Sequence, residues 1–138
     1  HTHAGHVLAV AGGLAALKVY LEEGLFERGR EIEGWLREGL GELADRHPSI
    51  GDVRGMGAQF GIELVRDRQT REPLVEWHHP AGSAPMKVFY SELLARGVHA
   101  YGRYNVVIVT PPLVISRAEL NDGLAALDAA LTALEATL

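Results

Sequence analysis

Apolar residues recur in the first segment at Val10, Leu14, Leu17 and Leu21, the i, i+4, i+7, i+11 spacing of a single helical stripe. Gly12 and Gly13 interrupt that helix, each at roughly 1 kcal/mol relative to alanine, which points to close packing against another backbone. Gly24 marks its end. A second stripe follows at Ile32, Leu36, Leu40 and Leu43. It stops at His47-Pro48, because the residue before a proline is driven out of helical geometry. His47 is accordingly read as having no role beyond the turn. Glu27, Arg30, Glu31, Glu38 and Glu42 fall between the apolar positions and form a solvated face.

The period then changes from helical to alternating. Met56, Ala58, Phe60, Ile62 and Leu64 alternate with polar residues or glycine, which predicts one half-buried strand within residues 51–65. Gly55, Gly57 and Gly61 share the other face. They do not read as a dinucleotide fingerprint, because no helix opens behind them; they suit a bulge or a close backbone approach. Residues 66–85 are turn-rich and predict a long surface loop, with a short strand at residues 74–77. Met86, Phe89, Leu93 and Leu94 predict a short helix ending at Gly97. Two strands are expected at residues 98–101 and 106–109, joined by Gly102-Arg103-Tyr104-Asn105. In the last helix Ser116 and Glu119 form an S-x-x-E capping box, and Leu120, Leu124, Leu127, Leu131 and Leu134 line one face. The expected fold class is α+β: a small antiparallel sheet packed with helices and preceded by a long N-terminal helix.

Composition narrows the function classes. The 138 residues suit a single domain. Hydrophobic residues make up 47% and charged residues 22%, as in an ordinary globular chain. A net charge of −5 excludes a general nucleic-acid binder, which needs a basic face. The absence of cysteine removes thiolate ligands, disulfides and a thiol nucleophile. No run of eighteen apolar residues predicts a membrane span. The first residue is histidine rather than methionine, so further polypeptide upstream is expected.

Candidate chemistry is sparse. His1, His3 and His6 lack the helical i, i+4 geometry of metalloprotease ligands. His78 and His79 are adjacent and point apart in an extended chain. No metal site is expected from either group. Ser83, Ser91 and Ser116 have no base beside them in the sequence, and a serine nucleophile requires one.

Three spaced motifs carry a resemblance. Thr2-His3-Ala4-Gly5-His6 leads into a small-residue-rich helix, as a T-x-x-G-H-P segment does in class III pyridoxal-phosphate-dependent aminotransferases. Gly51-Asp52-Val53-Arg54-Gly55-Met56-Gly57, followed by Gly61-Ile62-Glu63-Leu64-Val65, is similar to the family's D-V-R-G-x-G stretch and the strand after it. Thr110-Pro111-Pro112-Leu113 is similar to its A-P-P-L and the capped helix that follows. Val7 stands where the family has proline, a residue whose fixed φ favours a helix start.

The resemblance implies that residues 1–138 are the C-terminal part of a larger fold-type-I enzyme, with an upstream large domain as partner and a homodimer as the assembly. It implies pyridoxal 5′-phosphate as cofactor, held mainly by that large domain. The family's cofactor lysine and pyridine-pairing aspartate would precede residue 1. Lys18 and Lys87, the only lysines, match neither. The isolated chain is therefore expected to be inactive, with no catalytic residue of its own. Thr2 and His3 are the expected cofactor-binding residues, at the phosphate. Gly5 would allow close approach, and His6 is expected to be structural. Arg103, with Tyr101, is the candidate for substrate carboxylate recognition, because a guanidinium fork pairs a carboxylate bidentately. Arg54 is expected to brace the strand turn. The reaction implied transfers an amino group between a small-molecule amine or amino acid and a keto acid, in the cytoplasm. The alternative is a noncatalytic α+β domain for association or ligand binding.

Overall fold

The computed structural model describes residues 5–76 and 83–138. His1, Thr2, His3, Trp77, His78 and His79 lie outside the described residues. Two helices come first, α1 (Val7–Glu22) and α2 (Leu25–Arg46). A hairpin follows, β1 (Ile50–Met56) and β2 (Gln59–Asp67), then the short β3 (Glu72–Pro73). The chain continues as α3 (Ala84–Ala95), β4 (Tyr101–Arg103), β5 (Val106–Val109) and α4 (Arg117–Glu135). All pairings are antiparallel, the sheet order is β1-β2-β5-β4, and β3 adds to β2. The expected α+β class, with its small antiparallel sheet, is what the fold shows.

Register divides the sheet into two faces. Val53, Ile62 and Val107 stand opposite one another, so they share a face, and Gly102 joins them through β4. Phe60 and Leu64 lie on that same face. It packs onto the stripe Ile32, Leu36, Leu40 and Leu43 of α2 and onto Leu120, Leu127, Leu131 and Leu134 of α4, all buried. Met86, Phe89 and Leu93 of α3 complete the core. Each such side chain removed from water contributes about 1.5–3 kcal/mol before the entropy of ordering it. The opposite, outer face carries Arg54, Glu63, Val106, Ile108, Tyr101 and Arg103.

The helices α2 and α4 run parallel, and the start of α4 is tied to the first half and middle of α2. Arg28 Nε donates to the Leu113 carbonyl at 3.2 Å, and its Nη2 donates to the Ile115 carbonyl. Arg117 pairs with Glu38 at 2.7 Å, and the guanidinium groups of Arg28 and Arg117 sit 4.7 and 5.5 Å from the centroid of the Trp35 ring system. Such cation–π contacts contribute roughly 0.5–1 kcal/mol each at partly exposed sites.

Several local expectations change. The alternating run was expected to be one strand and is a hairpin, because Gly57 turns the chain at φ 59° between Met56 and Gln59. Met56 therefore sits at the hairpin tip and is 79% exposed rather than inward-facing. Gly55 does serve a close approach: a Cβ there would lie 2.3 Å from the Gln59 carbonyl oxygen. The short strand expected at 74–77 lies instead at Glu72–Pro73, while Leu74 and Val75 tuck into the core. The strand expected at 98–101 runs over Tyr101–Arg103, which leaves a two-residue turn, Tyr104-Asn105. Leu94 points outward. The capping box at Ser116 and Glu119 is present.

Candidate functional site

The outer sheet face carries the substrate-binding candidates. Tyr101 and Arg103 are alternate residues of β4, so both side chains leave the same face, beside Ile108 and Val106 of β5. Tyr101 is 68% exposed. The Arg103 guanidinium stacks 5.1 Å from the Tyr104 ring and reaches its hydroxyl at 3.4 Å. Arg103 was expected in a loop; as a strand residue it is held by the ladder to Val106. Arg54, farther along the same face, is engaged by Asp52 and Glu63, the latter at 2.9 Å. Those carboxylates, Asp52 foremost, hold its guanidinium still more firmly in the charged form. It braces the β1–β2 hairpin, as expected.

Behind β4 stands Tyr90 of α3. Its hydroxyl is buried without a hydrogen-bond partner among the described residues. Burial, and then the nearby Tyr101, raise the phenol's pKa above its ordinary value. A Cβ on Gly102 would fall 1.9 Å from this hydroxyl and 2.5 Å from the Val106 carbonyl oxygen, so only glycine lets β4 lie this close. A cavity of about 340 Å³, lined by Tyr90, Leu94, Val98, His99 and Tyr101, opens beside the contact.

The other candidate region is the start of α1. Thr2 and His3 precede the described residues. Gly5 adopts φ 79° with open space where a Cβ would stand, and no side chain caps the helix at His6. The first-turn N–H groups of an uncapped helix, with the positive end of its dipole, suit a phosphate. The covalent end of a pyridoxal cofactor finds no such match. Lys18 is exposed and pairs with Glu22 at 3.7 Å, and Lys87 is exposed on α3. Both amines stand in water, without the burial that activates a lysine nucleophile. Among the described residues no group of three or more His, Asp or Glu side chains could hold a metal ion.

Sequence reasoning missed one cluster. His47 is not only a turn residue: it is buried, with Nδ1 3.0 Å from Glu135 and Nε2 2.9 Å from Asp128. The available signal was two carboxylates seven positions apart on α4, hence on one face, flanking an apolar stripe.

The sheet with one bare face and the uncapped leading helix can be set against known proteins. The family described as Aminotransferase class-III matches residues 1–131. The chain belongs to that family. It is 38% identical to isoleucine 2-epimerase of Lentilactobacillus buchneri over 97% of its own length and 28% of the relative's. It is 37% identical to a probable 4-aminobutyrate aminotransferase of Bacillus subtilis, covering 96% of itself and 29% of that protein. Among solved structures, taurine:2-oxoglutarate aminotransferase from Bifidobacterium kashiwanohense, in complex with PLP and glutamate, superposes with a TM-score of 0.87 at 31% identity. That match covers 97% of this chain and 30% of the other. The chain thus spans under a third of the proteins it matches.

Proposed function

We propose that this chain is the C-terminal small domain of a class III aminotransferase. Joined to an upstream large domain, and paired as a homodimer in the cytoplasm, it would help move an amino group from an amine or amino acid to a keto acid. The observation that carries this reading is the bareness of α1. None of its residues is buried, and Val7, Leu8 and Leu21 are 78%, 77% and 72% exposed. A helix this apolar and this uncovered is a surface made for another body, and the rest of the enzyme is the body the family supplies.

In that assembly Thr2, His3 and the first N–H groups of α1 hold the phosphate of pyridoxal 5′-phosphate. Bound there, the cofactor supplies the electron sink for bond cleavage at the amino-bearing carbon. Arg103 receives the substrate carboxylate, with Tyr101 forming the wall beside it. The strand fixes the Arg103 backbone, so its fork needs little reorganisation to bind. Alone, the chain has no desolvated lysine and does not transaminate.

The test is direct. The 138-residue chain and a full-length form are each incubated with pyridoxal phosphate, reduced with borohydride and weighed intact. The full-length form should gain one lysine adduct and the short chain none. An adduct on Lys18 or Lys87 would overturn the assignment. The Lentilactobacillus buchneri relative is an isoleucine 2-epimerase, which favours a second reading, inversion of an amino acid at its α-carbon. Keto acid formation supports transfer; loss of optical activity without keto acid supports inversion.

A further inference from the structure

We propose that His47 is a pH-sensitive latch, closing the C-terminal ends of α2 and α4 together while its ring carries both protons. The ring, at the end of α2, lies between two carboxylates of α4, with Nε2 2.9 Å from Asp128 and Nδ1 3.0 Å from Glu135. A neutral imidazole has one N–H and one lone pair, so it can donate to only one of them. The doubly protonated ring donates to both. Deprotonation turns one of the two contacts into a lone pair facing a carboxylate oxygen.

The neighbouring charges favour the closed form. Arg46 of α2 pairs with the same Asp128 oxygen at 2.9 Å. With the ring protonated, two cations meet two carboxylates; with it neutral, only Asp128 keeps a cationic partner, Arg46. The turn after α2 contributes Ser49, whose hydroxyl and N–H donate to Glu135 at 2.6 and 3.1 Å. Beyond β2, Arg68 donates to the His47 carbonyl at 2.7 Å and to the Ile50 carbonyl at the same distance. That guanidinium secures the turn's backbone and does not touch the ring.

The placement makes the response local. Away from this end, Arg28 ties the start of α2 to the Leu113 and Ile115 carbonyls just ahead of α4. Arg117, the first residue of α4, pairs with Glu38 in the middle of α2, and neither arginine changes charge at physiological pH. The start of α4 is therefore held by groups indifferent to pH, and its last turns by the one side-chain type whose ordinary titration falls near neutrality. Raising the pH loosens the last turns of α4 and leaves its first turns in place.

Amide hydrogen exchange on the 138-residue chain, corrected for intrinsic rates, tests this at about pH 6 and about pH 8. Protection at Leu131 and Leu134 should fall about tenfold, the scale of one charge-assisted hydrogen bond, while Leu124 in α4 and Ile62 in β2 hold. His47→Gln, able to satisfy one carboxylate only, should show low and pH-independent protection at the same amides. Ring-nitrogen NMR of the unaltered protein gives a check free of mutation, with both nitrogens protonated at the lower pH. Equal protection at the two pH values, an equal fall at Ile62, an undiminished pH response in His47→Gln or a lone-pair nitrogen at the lower pH would each overturn the latch.

Discussion

Leu64 and Asn105 hold each other by a reciprocal pair of hydrogen bonds: the Leu64 N–H donates to the Asn105 carbonyl at 2.8 Å, and Asn105 Nδ2 donates to the Leu64 carbonyl at 2.9 Å. Asn105 is buried in the β4–β5 turn and extends the β2–β5 ladder by one rung made partly of side chain. Asn105→Ala removes one bond of the pair. The Leu64 carbonyl keeps its second donor, the Leu74 N–H, so the loss should be only about 1 kcal/mol. Asn105→Asp sets a carboxylate against that carbonyl and should cost about 3 kcal/mol. Urea denaturation midpoints of the two variants check the order.

Gly102 and Tyr90 give a paired prediction with opposite signs. Gly102→Ala places a methyl group inside the Tyr90 hydroxyl and the Val106 carbonyl; it should cost about 1–3 kcal/mol through forced displacement of β4. Tyr90→Phe removes a buried hydroxyl that has no partner among the described residues. It should leave thermal stability unchanged or raise it by up to about 1 kcal/mol. Tyr90→Phe combined with Gly102→Ala should recover part of the loss.

Glu135 contributes to the acid side of stability. Burial pulls its pKa upward, but hydrogen bonds from Ser49 and His47 outweigh that and hold it below the ordinary glutamate value of 4.5. Its contribution is thus complete above that value and disappears as the pH falls through the lower, folded-state value. Unfolding temperatures measured from about pH 5 to pH 3 should drop in the unaltered chain. Glu135→Gln should start lower and flatten this part of the profile.

Helix α1 should tolerate charge where a core helix would not. Leu14 and Leu17 are 64% and 55% exposed. Leu14→Glu with Leu17→Glu is expected to leave the unfolding temperature of the isolated chain within about 0.5 kcal/mol of its starting stability. The same pair should abolish assembly with the proposed large domain. Co-purification of separately expressed pieces, beside a melting curve, separates the two effects.

Arg103 is tested in the full-length enzyme. Arg103→Leu should raise the KM of carboxylate-bearing donors about tenfold or more and spare amines without a carboxylate. An equal effect on both donor classes would remove the residue from substrate recognition.

The helices were legible because their signals are local and mutually consistent. Ile32, Leu36, Leu40 and Leu43 repeat at helical spacing and are all buried, and Ser116 and Glu119 occupy the positions that a capping box requires. The β1–β2 hairpin was not. Its turn at Gly57 keeps the alternation of small and apolar residues going across the bend, so periodicity alone runs two strands into one. The His47 cluster was hidden for another reason: its partners lie 81 and 88 positions away, and only the parallel packing of α2 and α4 brings them together. Arg103 was found by likeness to a family, whereas its place on a strand came from register.

The sheet's two borders limit how copies of this chain can meet. At one border β1 carries Asp52 and Arg54 and breaks register between Ile50 and Asp52; at the other β4 is three residues long. A charged, irregular border and a very short one are both poor templates for a neighbouring strand. Growth of the sheet from molecule to molecule is thereby discouraged.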